Sequence, residues 1–168
     1  MQTMKRIIIT SILVFVSAFV YQLNAQDYQT AIGARLGYPL SASIKHFITE
    51  NNALEFYVGS RWYNRYRWAN VSGAYLIHFP IEEVDGLKWY AGAGASIYFW
   101  GFDKGFADNS SNTSIGLQGY LGLEYTFDEV PINLSVDWIP TIFLNGYYES
   151  SRFGGGYGSL AVRYVLSR

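Results

Sequence analysis

From residue 28 onward, apolar and polar positions alternate with a period of two, the pattern of strands whose two faces meet different surroundings. Turn-forming stretches cut the alternation into eight segments, residues 28–37, 41–49, 53–63, 67–79, 88–100, 114–127, 132–144 and 155–166. Several reach ten residues or more, where strands of soluble proteins average about 5–6. A bilayer's hydrocarbon layer requires strands of about 9–11 tilted residues. The connections alternate too. Residues 50–52, 80–87 and 128–131 are acidic or proline-bearing turns, whereas 38–40, 64–66, 101–113 and 145–154 fall at the other end and include the two longest polar loops. An even strand number with this asymmetry predicts an all-β fold, an eight-stranded antiparallel up-and-down transmembrane β-barrel.

The parity of each segment defines its faces. On the fifth, Trp89, Ala91, Ala93, Ala95, Ile97 and Phe99 oppose Tyr90, Gly92, Gly94, Ser96, Tyr98 and Trp100. The sixth sets Ile115, Leu117, Leu121, Leu123, Tyr125 and Phe127 against Gly116, Gln118, Tyr120, Gly122, Glu124 and Thr126. The seventh sets Ile132, Leu134, Val136 and Trp138 against Asn133, Ser135 and Asp137, and the eighth Leu160, Val162, Tyr164 and Leu166 against Ser159, Ala161, Arg163 and Val165. A soluble lipocalin-like barrel would turn the apolar set inward around a ligand. Composition decides against it: a water-facing surface carries about 25–35% charged residues, while the polar face here is mostly Gly, Ser, Thr, Asn and Tyr. That face therefore belongs in a crowded lumen. Seven charged residues fall on it, Arg35, Lys45, Glu55, Arg61, Glu124, Asp137 and Arg163. Buried charges are tolerable only when paired, so these are predicted to form a lumenal network, with Tyr57, Gln118 and Tyr120 filling gaps. The alternative use is a proton or ion pathway.

Aromatic residues cluster at both strand ends, as in the interfacial girdles of membrane barrels. Phe47, Phe79, Trp89, Phe127 and Tyr164 lie toward the short turns; Trp62, Trp68, Phe99, Phe143 and Tyr147 lie toward the long loops. Pro140 interrupts the seventh segment and predicts a bulge or kink. The bulk composition agrees: 50% hydrophobic, 18% aromatic and only 15% charged, against about a quarter charged in soluble domains. A net charge of −1 offers no electrostatic basis for nucleic-acid binding. The absence of cysteine excludes disulfides, thiolate zinc sites, thiol catalysis and lipid attachment through an N-terminal cysteine. At the N-terminus, Lys5 and Arg6 precede an apolar stretch over 7–20 and a polar stretch ending at Ala25, the layout of a cleaved secretory signal. The expected organisation is a signal peptide over 1–25 and one barrel domain over 26–168.

Candidate chemistry is sparse. The two histidines, His46 and His78, sit beside short turns and read as structural hydrogen-bonding groups. With no histidine on the long-loop side, a Ser–His or Asp–His pair cannot be built at that rim. Asp103, Asp108 and Asn109 match no calcium-loop spacing, and residues 154–156, all glycine, lack the Lys and Ser/Thr of a phosphate loop. The expectation is no enzyme, no catalytic residues, no cofactor and no metal.

Three stretches carry a family likeness: residues 45–48 followed by 50–55, residues 75–80 with 87–92, and residues 119–127 leading through Pro131 to Asp137 and Trp138. On these the chain resembles the small eight-stranded outer-membrane barrel proteins of the Bacteroidetes type, similar to the OmpX/OmpA-barrel class. The resemblance implies location in the bacterial outer membrane, with outer-membrane lipid and the outer-membrane assembly machinery as partners, and no assigned chemistry. It departs at the C-terminus: such barrels usually end on an aromatic residue read by that machinery, whereas this chain ends Leu166–Ser167–Arg168, so that either Tyr164 serves instead or the chain folds by a less usual route. The functional expectation is a structural or surface-interaction protein, any surface ligand being met by loops 101–113 and 145–154 through residues such as Tyr147, Tyr148, Arg152 and Phe153. A narrow transport pore and a periplasmic lipocalin-like carrier are the alternatives, and a lipid-modifying enzyme is disfavoured by the missing rim histidine.

Overall fold

A computed structural model describes residues 28–62, 66–102, 111–144 and 153–167. Among these, eight strands follow one another: β1 (Thr30–Gly37), β2 (Leu40–Phe47), β3 (Asn52–Trp62), β4 (Tyr66–Pro80), β5 (Leu87–Phe102), β6 (Ser111–Thr126), β7 (Ile132–Phe143) and β8 (Phe153–Ser167). Each pairs antiparallel with its sequence neighbour, and β1 pairs with β8 to close the barrel. The expected up-and-down architecture is the one observed, with strand bounds shifted by a few residues. Closure leaves no unpaired edge along the sheet.

The period-two alternation explains the cross-section. Ile32, Ile44, Phe56, Val71, Leu121, Val136 and Leu160 stand on the outside and are exposed, while Arg35, Lys45, Glu55, Gln118, Glu124, Asp137 and Arg163 point inward and are buried. Eight strands give a bore just wide enough for side chains to fill, and here large and small residues interlock across the ladder. Tyr90 pairs with Gly122, and Tyr120 with Gly92. A Cβ on Gly122 would lie 2.6 Å from Tyr90 Cζ and 2.7 Å from the Val136 carbonyl, so the tyrosine ring occupies the room that glycine leaves.

Two local features follow from backbone chemistry. Gly86, in the turn between β4 and β5, has φ +78°, a left-handed conformation that glycine adopts without steric cost. Its carbonyl accepts from the Thr126 amide at 2.9 Å. Pro140 brings the predicted irregularity: the β7–β8 register shifts between Pro140 and Ile142, where proline cannot donate to the ladder.

The aromatic girdles need correction. Phe47, Trp68 and Phe143 are buried inside the barrel, not on its outer face. Parity explains this, because Phe47 shares a face with Lys45, Trp68 with Asn70 and Phe143 with Asp137. Phe79, Trp89, Trp62, Phe99 and Tyr164 do face outward, and Tyr147 lies outside the described residues.

Candidate functional site

The inward side chains form layers along the bore. Nearest the short turns, Tyr28, Ala31, Phe47, Ala53 and Val165 make an apolar plug. Tyr28 and Phe47 meet edge to face with centroids 5.0 Å apart, a favoured geometry for rings with opposed quadrupoles. His78 is fully buried beside this plug, its ring 4.7 Å from Phe47 and 5.0 Å from Tyr90. Its Nδ1 lies 3.3 Å from the Asn51 carbonyl and its Nε2 3.9 Å from Glu124 Oε2. His46 lies on the opposite face of its strand, with Nδ1 2.8 Å from Thr30 Oγ1.

Above the plug lies an ionic layer of three bases and three acids, all buried. Arg35 donates through Nη1 to Glu55 Oε1 at 2.7 Å and through Nη2 to Asp137 Oδ2 and Oδ1 at 2.6 and 2.8 Å. Arg163 reaches the same Glu55 oxygen at 2.5 Å, and also donates to Ser135 Oγ at 2.8 Å, Asn133 Oδ1 at 3.2 Å and Ser43 Oγ at 3.3 Å. Lys45 pairs with Glu124 Oε2, while Tyr28 donates to Glu124 Oε1 at 3.0 Å and Tyr90 to Asp137 Oδ2 at 2.6 Å. Contributions from β1, β2, β3, β6, β7 and β8 thus converge on one cross-section. The charges balance, which is the condition for holding ions in a low-dielectric interior. Lys45 Nζ also lies 4.6 Å from the Tyr90 ring centroid and the Arg35 guanidinium 4.9 Å from that of Tyr57, both within cation–π range.

Six of the seven charged residues singled out in the sequence therefore meet, and Arg61 stands apart. Its guanidinium lies 3.9 Å from the centroid of the Tyr38 ring at the long-loop mouth. Its Cα lies six residues up β3 from that of Glu55, about 20 Å along the strand at about 3.3 Å per residue.

A neutral polar layer follows. Gln118 Oε1 accepts from Tyr57 and Tyr120 at 3.1 and 2.8 Å and from Ser96, and its Nε2 donates to Tyr98 at 3.2 Å. Tyr98 and Tyr157 hydroxyls are 2.6 Å apart, and Asn70 donates to Ser72, which meets Ser96 at 2.6 Å. Parity carried the only sequence signal for these members. Trp68, Tyr98, Trp100 and Phe143 then cap the bore toward the long loops. Beside the polar layer is a cavity of about 10 Å³ bordered by Arg35, Tyr57, Asn70, Tyr157 and Ser159, the room of a single water molecule.

Chemically, this interior holds charge in balance. Every carboxylate in the ionic layer is engaged by a base, and no group of three His, Cys, Asp or Glu suited to a metal occurs among the described residues. The loop residues Asp103, Asp108, Asn109, Tyr147, Tyr148 and Arg152, and residues 1–25, lie outside the described residues.

A closed eight-stranded barrel with charge inside and hydrocarbon outside is a recurrent membrane-barrel architecture. Two solved structures share the fold. The N-terminal β-barrel domain of Pseudomonas aeruginosa OprF matches with a TM-score of 0.60 and 18% identity over 83% of this chain and 97% of that one. Neisserial surface protein A matches with a TM-score of 0.57 and 17% identity, covering 82% and 93%. Both are outer-membrane β-barrels, and at these identities the likeness is one of fold. No protein-family model and no curated protein sequence matches the chain.

Proposed function

We propose that this protein is an integral outer-membrane β-barrel, of the small type found in Bacteroidetes-like bacteria, with a plugged lumen and a structural or surface-interaction role. One observation carries the reading: the outward face of the barrel is lined by exposed Leu, Ile, Val and Phe, while three acids and three bases are buried inside. Leaving one such large side chain in water forgoes about 1.5–3 kcal/mol, so a surface of this kind is stable only against hydrocarbon. The fold likeness to two outer-membrane barrels supports the same location. Residues 1–25 act in this reading as the cleaved export signal, and the long loops carry any surface binding. The filled bore favours a plug over a transport pore. Its filling with polar and charged side chains disfavours a carrier of apolar ligands.

Envelope fractionation, with gel mobility compared between unheated and boiled samples, tests the proposal. Recovery in the outer-membrane fraction with a heat-dependent mobility shift is expected. Recovery as a soluble protein without detergent would overturn it.

A further inference from the structure

The outward face of the described strands carries a single side chain with a fixed charge, Arg67. It sits near the start of β4, at the long-loop end, and is exposed. Its cross-strand partners are Trp62 on β3 and Gly101 on β5. Trp62 is 80% exposed and also faces outward. A Cβ on Gly101 would lie 3.2 Å from both Cγ and Nε of Arg67, so the arginine stem lies flat over a strip of bare backbone. Phe99, two residues along β5, continues the same face.

We propose that Arg67 and Trp62 form a docking point for the phosphate of an anionic lipid in the leaflet on the long-loop side. The inference rests on the membrane reading above. Three observations select this occupant. A cation at the edge of an otherwise uncharged apolar band sits where headgroups begin, with its methylene stem in the hydrocarbon and its head outside. The guanidinium matches phosphate oxygens with parallel N–H donors, and the exposed Trp62 ring beside it is of the kind that collects at headgroup level. The opposite end has the contrary charge: its turns expose Glu50, Glu82, Glu83, Asp85, Asp128 and Glu129, which repel phosphate. Among the described residues, the outward cation and the exposed acidic turns thus stand at opposite ends of the barrel.

The test is native mass spectrometry of the full-length protein in detergent with equal amounts of phosphatidylglycerol and phosphatidylcholine bearing the same acyl chains, scoring the ratio of the two one-lipid adducts. Wild type should retain phosphatidylglycerol preferentially. R67Q should lower the ratio about five-fold, the equivalent of about 1 kcal/mol per basic side chain near a membrane surface. R67K should fall between, W62F should lower the ratio by less, and K88Q, at the far end, should leave it unchanged. Heat-dependent gel mobility confirms that each variant is folded. An R67Q protein that folds and keeps the wild-type ratio overturns this inference alone. So does one whose oligomeric state changes while its lipid ratio does not, since the occupant would then be protein. A wild-type protein that takes up no lipid and stays soluble without detergent overturns the membrane reading with it.

Discussion

Replacing Glu55 with glutamine keeps the shape of the side chain and removes one negative charge from a buried layer with three acids and three bases. In the wild type, Arg35 and Arg163 meet on a single oxygen of Glu55, at 2.7 and 2.5 Å. The two guanidinium nitrogens are therefore no more than about 5 Å apart, and at an effective dielectric near 20 their repulsion is about 3 kcal/mol. Arg35 keeps Asp137, but Arg163 is left with the neutral Ser43, Asn133 and Ser135. In the wild type the Glu55 charge offsets that repulsion; without it the repulsion stands uncompensated, and the expected destabilisation of Glu55→Gln is about 3 kcal/mol, at the lower edge of the 3–5 kcal/mol seen when one partner of a buried pair is removed. Urea titration of the vesicle-inserted barrel, read as the folded fraction on an unheated gel, measures it through the midpoint at constant slope. A second change, Arg163→Met, restores neutrality and should recover much of the loss. A single variant within about 1 kcal/mol of wild type, or a double variant no more stable than the single, would show that charge balance does not hold the bore together.

Four other outcomes follow from the same geometry. Leu121→Arg places a cation on the outward face at mid-strand and should cost about 2–4 kcal/mol of barrel stability in vesicles; a neutral effect would argue against lipid contact there. In single-tryptophan variants, lipids brominated on their acyl chains should quench Trp138, 50% exposed, and spare Trp68, 4% exposed, and equal quenching of both would contradict the assigned faces. Gly122→Ala should cost about 1–3 kcal/mol by driving a methyl into Tyr90, whereas Gly158→Ala, whose nearest neighbour would be 3.8 Å away, should be silent in the same titration. Planar-bilayer recording should detect no steady large conductance, since the bore is filled by the ionic and aromatic layers; sustained channel currents from monomeric protein would show that those layers open.

Much of this architecture was legible because period-two alternation is rigid: once Glu124 is assigned to the inside, Gln118, Tyr120 and Thr126 must follow. The same rule placed Arg35, Lys45, Glu55, Asp137 and Arg163 on the facing walls. Legibility failed where residue type was allowed to outrank parity. Phe47, Trp68 and Phe143 have the composition of a girdle, but each is an even number of residues from an inward polar group and so belongs to the plugs at the ends of the bore. Height along the strand was the second loss. Parity says that Arg61 points inward, but its partners depend on the stagger between strands, which a single sequence does not display. Tyr28 reaches Glu124 from just before β1, and His78 packs against Phe47 from β4. Contacts of this kind depend on closure of the sheet, and nothing local in the sequence announces them.

The seam between β1 and β8 is also where the electrical account is settled. Arg35 arrives with the first strand and Arg163 with the last, and both seat on Glu55. A cylinder lacking its final strand would hold one surplus anion in a dry interior while exposing two raw sheet edges to hydrocarbon. Loss of β8 is thereby penalised twice, once through a buried carboxylate short of a base and once through unpaired backbone at the two edges.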